Sequence, residues 1–507
     1  MGSAFQSFRE LIPFTLAFAG QPVSDRIRSR LGEISKQPAE KALPLLTTHI
    51  VPAIATQSNL QMRFKLLEDV LREAERTLPV LEQTLKKTAL PLPKNVLSSA
   101  LQTDNLIKAL ASAYYEIVLE IAGRNENVAL AHLMHRAALQ AMRLIARRQK
   151  FAYLACTRPS PSSWRMLHDL YRILSAARAI VADDDFAAIK HQYLTQLLTA
   201  YLEPNKLPRG DLGALHNCAN QLAHYALISP ANSLPTPHHA TAPRFLVQTE
   251  KGSPGHKLIS NPETGSDVSS LIIDCSAIVS VISEQVSARR SKVTKPQIEG
   301  SSAFLQTLLM ILSGKATRQF SRTRFRPHAD LVVGLDAVIS FIEETACTRR
   351  SVDIILREER PVATSVWSLI DESPNGFLLR FMKGNQWQAG AGDVVAIQPR
   401  ESSKVHVCMV RRVSSRNGQL ELGLQLLSPQ VSIIELPTGS TRSQRAIYFH
   451  NLPAHDQSAG IIARPGQLKS KEKIVFKAAG KVVQRKIGKC IEANEGLEFV
   501  TLTPLPD

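Results

Sequence analysis

The stretch WSLIDESPNGFLLRF, residues 367–381, puts three chemically useful residues close together. Asp371 supplies a carboxylate, Ser373 a hydroxyl, and Gly376 a backbone position with no side chain. Apolar runs from Val366 to Ile370 and from Phe377 to Leu379 flank a polar interval that ends in glycine, so the three residues sit on a hairpin turn. Such a turn either reverses the chain or also holds a ligand. Upstream, in TRQFSRTRFRPHADLVVG, Arg318 and Arg322 stand four residues apart, and Arg322 and Arg326 repeat the spacing. A guanidinium offers paired donors in one plane and can fork onto a phosphate, a geometry lysine cannot copy. The spacing alone says little, since Arg26/Arg30 and Arg412/Arg416 share it. The ordered set, arginines just before a strand and the turn between two strands, is far more specific.

Other chemistry is scarce. No glycine-rich phosphate loop, GxSxG elbow, HExxH pair or supported Cys/His nucleophile occurs, and GSPGHK lacks the spacing of a P-loop. The sequence therefore reads as non-enzymatic, with no catalytic residue, metal or cofactor. His168, in PSSWRMLHDLY, shares a helix face with Trp164, Leu167 and Tyr171 and reads as a hydrogen-bonded histidine at a helix–helix contact, with Ser163 as the helix cap. His238 and His239 are adjacent in a Pro/Ser/Thr-rich loop and do not converge on one ion. Six cysteines are scattered singly with no CxxC pair, the pattern of free thiols in a reducing compartment.

The elements that must position the turn follow from the chain's pattern. A length of 507 residues predicts several domains, and 44% hydrophobic with 21% charged residues is a globular composition. Residues 1–228 read as an α-helical domain from apolar residues at three- and four-residue spacing from residue 22 on. Residues 229–314 read as a linker and small α/β region, with strands in RFLVQTE and SSLIIDCSAIVSVI and a helix in SAFLQTLLMILSG. Residues 315–430 read as a small closed barrel of short strands, interrupted by an insertion at about 336–362 that begins as a helix and loops out. Asn417-Gly418 suits a type I′ hairpin. Residues 431–507 read as a second small β unit. The fold class is multidomain α+β, an all-α first half followed by antiparallel β.

LIPFTLAFAG near the start is too short, and too broken by Pro13 and Thr15, for a secretory leader, and no stretch approaches a membrane span. The expectation is a cytoplasmic protein without an integral membrane segment. A formal charge of +17 raises a polyanion partner. The Lys and Arg residues are spread along the chain and aromatics are few, which argues against nucleic acid.

The arginine pair followed by DxSxxG in a small barrel resembles the PilZ domain family, whose members bind cyclic di-GMP. The resemblance covers about residues 315–430 and extends to Val410-Arg411 and Gly423-Leu424-Gln425 in later strands. It implies a β-barrel whose ligand is gripped by Arg318 and Arg322 on guanine edges or phosphates. It further implies that Asp371 accepts from a guanine edge, that Ser373 donates to phosphate or closes the turn, and that Gly376 lets the backbone approach the ligand closely. Arg326 is an auxiliary contact, and Arg411 either joins it or lies in a salt bridge on a barrel strand. The implied role is a cyclic di-GMP effector that relays binding to the helical half, which would dock an unidentified protein partner. Two other readings are a scaffold with a degenerate barrel and a basic protein that binds nucleic acid or membrane surfaces.

Overall fold

In the computed structural model the described residues are 22–124, 128–177, 182–231, 243–258, 270–290, 298–313, 327–348, 364–384, 390–400, 402, 404–416, 418–428, 430–436, 444–454, 457–468, 473–478 and 480–504. The leader-like stretch, Arg318, Arg322, Arg326, His238 and His239 lie outside them.

The three- and four-residue apolar spacing of the first half forms ten α-helices among the described residues. They are α1 (Val23–Ile34), α2 (Ala39–Leu45), α3 (Val51–Ala55), α4 (Leu60–Ala74), α5 (Leu78–Lys87), α6 (Lys94–Ala122), α7 (Val128–Leu154), α8 (Pro161–Ala176), α9 (Asp183–Tyr201) and α10 (Leu212–Leu222). The long pair α6 and α7 forms the centre. Ala137, Ala138 and Ala141 on α7 let it approach α6 closely, where Leu106, Leu110, Tyr114 and Ile117 are fully buried. Polar side chains fix the helix starts and crossings. Asn59 accepts from the Met62 amide at 3.0 Å to start α4. The cap of α8 is Ser160 rather than Ser163, because Pro161 takes the first helical position and the Ser160 hydroxyl accepts from the Ser163 amide at 3.3 Å. Arg148 of α7 forks onto Asp104 of α6 at 2.6 and 2.9 Å and also reaches the Ser160 and Ser163 hydroxyls.

Residues after α10 join the same core. Strands β1 (Leu227–Pro230), β2 (Arg244–Gln248), β3 (His256–Lys257) and β4 (Ser270–Asp274) form a sheet in the order β1-β4-β2-β3, flanked by α11 (Ser276–Arg290) and α12 (Ser302–Ser313). SSLIIDCSAIVSVI thus divides into a strand and a helix. Asp274 ends the strand and accepts from the Ser276 amide at 2.8 Å, which starts α11. Val247, Ile273, Ile278, Leu305 and Leu308 pack in one continuous core with the ten helices.

The second half is antiparallel β. Strands β5 (His328–Val333), β6 (Ser365–Ser373), β7 (Gly376–Lys383), β8 (Val394–Pro399), β9 (His406–Arg416) and β10 (Gln419–Ser428) close a barrel in the order β10-β7-β6-β5-β8-β9. Trp367, Leu369, Leu379, Val395, Ile397, Val410 and Leu422 fill it, and Leu90 and Cys156 from the helical half join that cluster. Gln419 pairs with Arg416 across the expected hairpin, where Gly418 takes φ +74°.

The insertion does not loop out at its start. It forms α13 (Leu335–Thr348), and Leu335, Val338, Ile339 and Phe341 are buried against Val332, Val394, Ala396, Val407 and Met409 of the barrel. The other side of that cluster is Ile447, Phe449, Ile462 and Phe499 of a third sheet. This sheet comprises β11 (Val431–Leu436), β12 (Gln444–Leu452), β13 (Ser458–Ala463), β14 (Lys473–Ala478), β15 (Lys481–Ala493) and β16 (Glu498–Thr503), ordered β11-β12-β13-β16-β15-β14. Its other face carries a separate core with Tyr448, Ile461, Phe476 and Val500, so both faces of its central strands are buried. The chain is therefore multidomain α+β, with a helical first half and antiparallel sheets after it. Among the described residues no helix is long and apolar enough to cross a membrane.

Candidate functional site

The quoted turn is a two-residue hairpin, with Ser373 opposite Gly376. The Ser373 hydroxyl donates to the Gly376 carbonyl at 3.2 Å, so it closes the turn. Gly376 is required by its neighbour strand. A Cβ there would lie 2.0 Å from the Leu424 carbonyl oxygen and 3.1 Å from the Gln425 Cα, and Gln425 is its cross-strand partner on β10. The direction a side chain would take at this glycine is thus filled by the β10 backbone, while Gly376 itself borders the cleft at the barrel rim. Asp371 lies just past a register shift between Leu369 and Asp371, where the pairing of β6 with β7 gains a residue. Such a bulge re-aims the side chains that follow it.

Asp371, Ser373, Gly376 and Arg411 all line one cleft of 1910 Å³. Ordinary small-molecule pockets run to about 1,000 Å³. Four parts of the chain enclose it: the rim of the barrel, the end of β15 with the turn after it, the helical half through Lys86, Lys87, Lys206 and Arg209, and the small sheet with α12 through residues such as His256, Lys257 and Thr307. Arg411 bridges two of these parts. Its Nε donates to Gln425 Oε1 at 2.7 Å and its Nη1 pairs with Glu492 on β15 at 2.9 Å. The salt-bridged alternative for Arg411 is thus the one observed, and it sits on the cleft wall. Arg209 holds the helical wall, donating to the Leu85 and Thr88 carbonyls at the end of α5. Burial lowers the Arg209 pKa.

Basic groups on the wall are accompanied by carboxyls of unequal character. Burial pushes the Asp211 carboxyl up, and the fields of Glu492 and Glu495 push it further. Asp393 is raised by burial too, although its Oδ2 accepts from the Gly390 amide at 2.7 Å. Arg318, Arg322 and Arg326 lie outside the described residues, but the chain resumes beside the turn. The Pro327 carbonyl accepts from the Leu369 amide at 2.9 Å, and His328 pairs with Ser368. The described chain therefore enters the barrel at the rim that carries Asp371.

Lys86, Lys87, Lys206 and Arg209 give no sign in the sequence of facing the barrel, and Arg412, which also lines the cleft, stands out only as one more arginine in an RxxxR spacing. His168 is buried as expected. Its Nδ1 meets the Tyr193 hydroxyl at 2.8 Å and its Nε2 the Ser253 carbonyl at 2.9 Å. Burial lowers its pKa. The five described cysteines are free thiols.

Fold and cleft together define a multidomain α+β chain with a large groove of mixed charge, basic groups slightly in excess, at the rim of a closed barrel. Residues 25–233, the helical half, match a family model described as the N-terminal domain of the cyclic-di-GMP receptor FimW. The cyclic-di-GMP receptor FimW of Pseudomonas aeruginosa is 23% identical over 518 aligned positions, covering 86% of this chain and 81% of that protein. No solved structure matches.

Proposed function

We propose that this protein is a non-enzymatic, cytoplasmic cyclic di-GMP effector with a PilZ-type barrel at about residues 315–430. The ligand would lie in the cleft at the barrel rim. Asp371 accepts from a guanine edge, and Arg318 and Arg322 reach guanine or phosphate from the segment that precedes β5. Ser373 and Gly376 hold the turn in shape, while Arg326 and Arg411 are auxiliary cations. The observation that carries this reading is the entry of the chain at Pro327 beside Leu369, two residues from Asp371 on the neighbouring strand. Five residues of extended chain span about 17 Å, enough for Arg322 to cover the rim from there. The FimW relative is a cyclic-di-GMP receptor, which supports the same ligand.

The opposite wall belongs to the helical half, so a ligand seated on the barrel also meets Lys86 and Lys87. Binding would then favour the arrangement in which the two walls approach, a population shift biased by differential affinity. That contact is the proposed route of relay to a protein partner on the helices. Each charge-assisted hydrogen bond contributes about 1.5–3 kcal/mol, so a few suffice for micromolar or tighter binding.

Titration calorimetry with cyclic di-GMP tests the reading. Binding at micromolar concentration or below is expected, weakened at least tenfold by Arg318→Ala and by Asp371→Ala. Arg158→Ala, on an exposed loop of the helical half, should leave it unchanged. Equal affinity for GTP or for random-sequence DNA, with steep salt dependence, would replace this reading with a general polyanion binder.

A further inference from the structure

Two histidines in the helical half contrast with the fully satisfied His168. On α7, His132 and His135 are three residues apart and so share a helix face, and both point at Asp185 in the first turn of α9. His132 Nδ1 lies 3.9 Å from Asp185 Oδ2, and His135 Nδ1 lies 3.2 Å from Asp185 Oδ1. One donor atom from each of the three residues falls within 4.8 Å of the other two. His135 is only 6% exposed; its Nε2 makes no hydrogen bond, and its Nδ1 meets Asp185. Buried polar groups in folded proteins are nearly always satisfied. A buried imidazole with one unsatisfied nitrogen, facing a carboxylate that a second imidazole also faces, has the character of an unfilled ligand set.

The geometry points to a divalent metal site formed by His132, His135 and Asp185, which takes zinc or a similar borderline transition-metal ion and clips α7 to α9. The donor types select the ion. Two imidazole nitrogens and one carboxylate suit zinc, cobalt or nickel, whereas calcium and magnesium need oxygen-rich sets. With metal–ligand bonds of about 2.0–2.1 Å, tetrahedral donors sit roughly 3.4 Å apart, so the cluster has to tighten by less than about 1.5 Å. The His132 side chain, 74% exposed, is free to make that move. Water would complete the tetrahedron on the solvent side. The clip would tie together helix beginnings that lie more than fifty residues apart along the chain, in the half whose arrangement the proposed relay depends on. The inference itself does not need that relay.

The full chain, stripped with chelator, should bind a single equivalent of Co²⁺, giving the absorption of a tetrahedral nitrogen–oxygen site, and Zn²⁺ should displace it. His132→Ala removes an exposed side chain and leaves the core intact, so folding does not confound it. It should weaken binding at least about tenfold, since loss of even an outer-shell group commonly has that effect, and should abolish the rise in Tm that Zn²⁺ produces. Asp185→Asn should act in the same direction, and His191→Ala, elsewhere on α9, should leave the titration unchanged. Binding that is indistinguishable between His132→Ala and the unaltered chain, an adventitious ion only, would overturn the site. So would no stoichiometric binding, or a thiolate-to-cobalt band placing the ion on a cysteine.

Discussion

The barrel wall of the cleft is fixed by hydrogen-bond register, whereas the facing helical wall is assembled from the ends of elements. On the barrel side, Gly376 opposes Gln425 across the β7–β10 ladder, and Arg411, at the point where β9 gains a residue against β10, is held by its side-chain bonds to Gln425 and Glu492. On the helical side, Lys86 and Lys87 occupy the last turn of α5, and Lys206 and Arg209 lie in short turns before α10. A single guanidinium, that of Arg209, fastens the end of α5 to those turns. A register moves only as a unit, because a one-residue slip inverts every side chain. Element ends can shift individually. The barrel wall is therefore suited to recognition and the helical wall to response.

The largest expected effect breaks the barrel wall. Gly376→Val forces a side chain into the Leu424 carbonyl, and the strands must separate or the turn must distort. Overpacking of this kind costs about 1–3 kcal/mol and occasionally more. A clear drop in Tm together with loss of cyclic di-GMP binding is expected. An unchanged melting curve would show that β7 and β10 are not as close as described.

The matching blow to the helical wall is smaller. Arg209→Met keeps the length of the side chain but leaves the Leu85 and Thr88 carbonyls without its donors. Unsatisfied acceptors of this kind cost about 1–3 kcal/mol, eased here because Arg209 is only half-buried. The expected pattern is a modest loss of stability and a larger relative loss of ligand affinity than Lys86→Ala produces, because the whole wall loosens. If Arg209→Met lowers Tm while binding is untouched, the helical wall takes no part in holding the ligand.

A third change sharpens the contrast by altering charge alone. Glu492→Gln keeps the shape of the β15 end but dissolves the ion pair that holds Arg411. Arg411 is then free to turn to an anionic ligand, and one negative charge leaves the cleft. Affinity should rise about threefold to tenfold at low salt, less at high salt, as screening removes the difference. A fall in affinity would mean that Glu492, or the alignment it imposes on Arg411, is itself used in recognition.

The contrast between walls also separates what the sequence discloses from what it does not. The barrel strands are marked by short apolar runs between turn residues, alternating in β10 and continuous in β8, and Asp371, Ser373 and Gly376 are marked by their spacing, because strand and turn chemistry is local. The α11 helix was hidden because SAIVSVI is as β-branched as a strand; its start is marked by Asp274, which accepts from both the amide and the hydroxyl of Ser276. The packed position of α13 and the presence of Lys86 at the cleft depend on contacts between residues far apart in the chain. No local pattern encodes those. His132 and His135 stand at HxxH spacing in the sequence, but Asp185, the third residue of the proposed metal site, lies on another helix.

The smallest effect is a pH dependence that should arise chiefly at Asp211 on the helical wall. Asp211 titrates above the ordinary carboxylate range, first because it is buried and then because Glu492 and Glu495 face it. A folded pKa above the unfolded value means that ionised Asp211 opposes folding at neutral pH. That opposition fades as pH falls through the raised value. The same proton removes a negative charge from the cleft while the phosphates of the ligand stay ionised. Cyclic di-GMP affinity should therefore rise about twofold to threefold as pH is lowered towards the carboxylate range, beginning before ordinary surface carboxyls titrate. Asp211→Asn should bind more tightly at neutral pH, have a slightly higher Tm, and show a flatter profile. A profile equally steep in Asp211→Asn would assign the titration to Asp393, the other raised carboxyl lining the cleft, and so to the barrel wall instead.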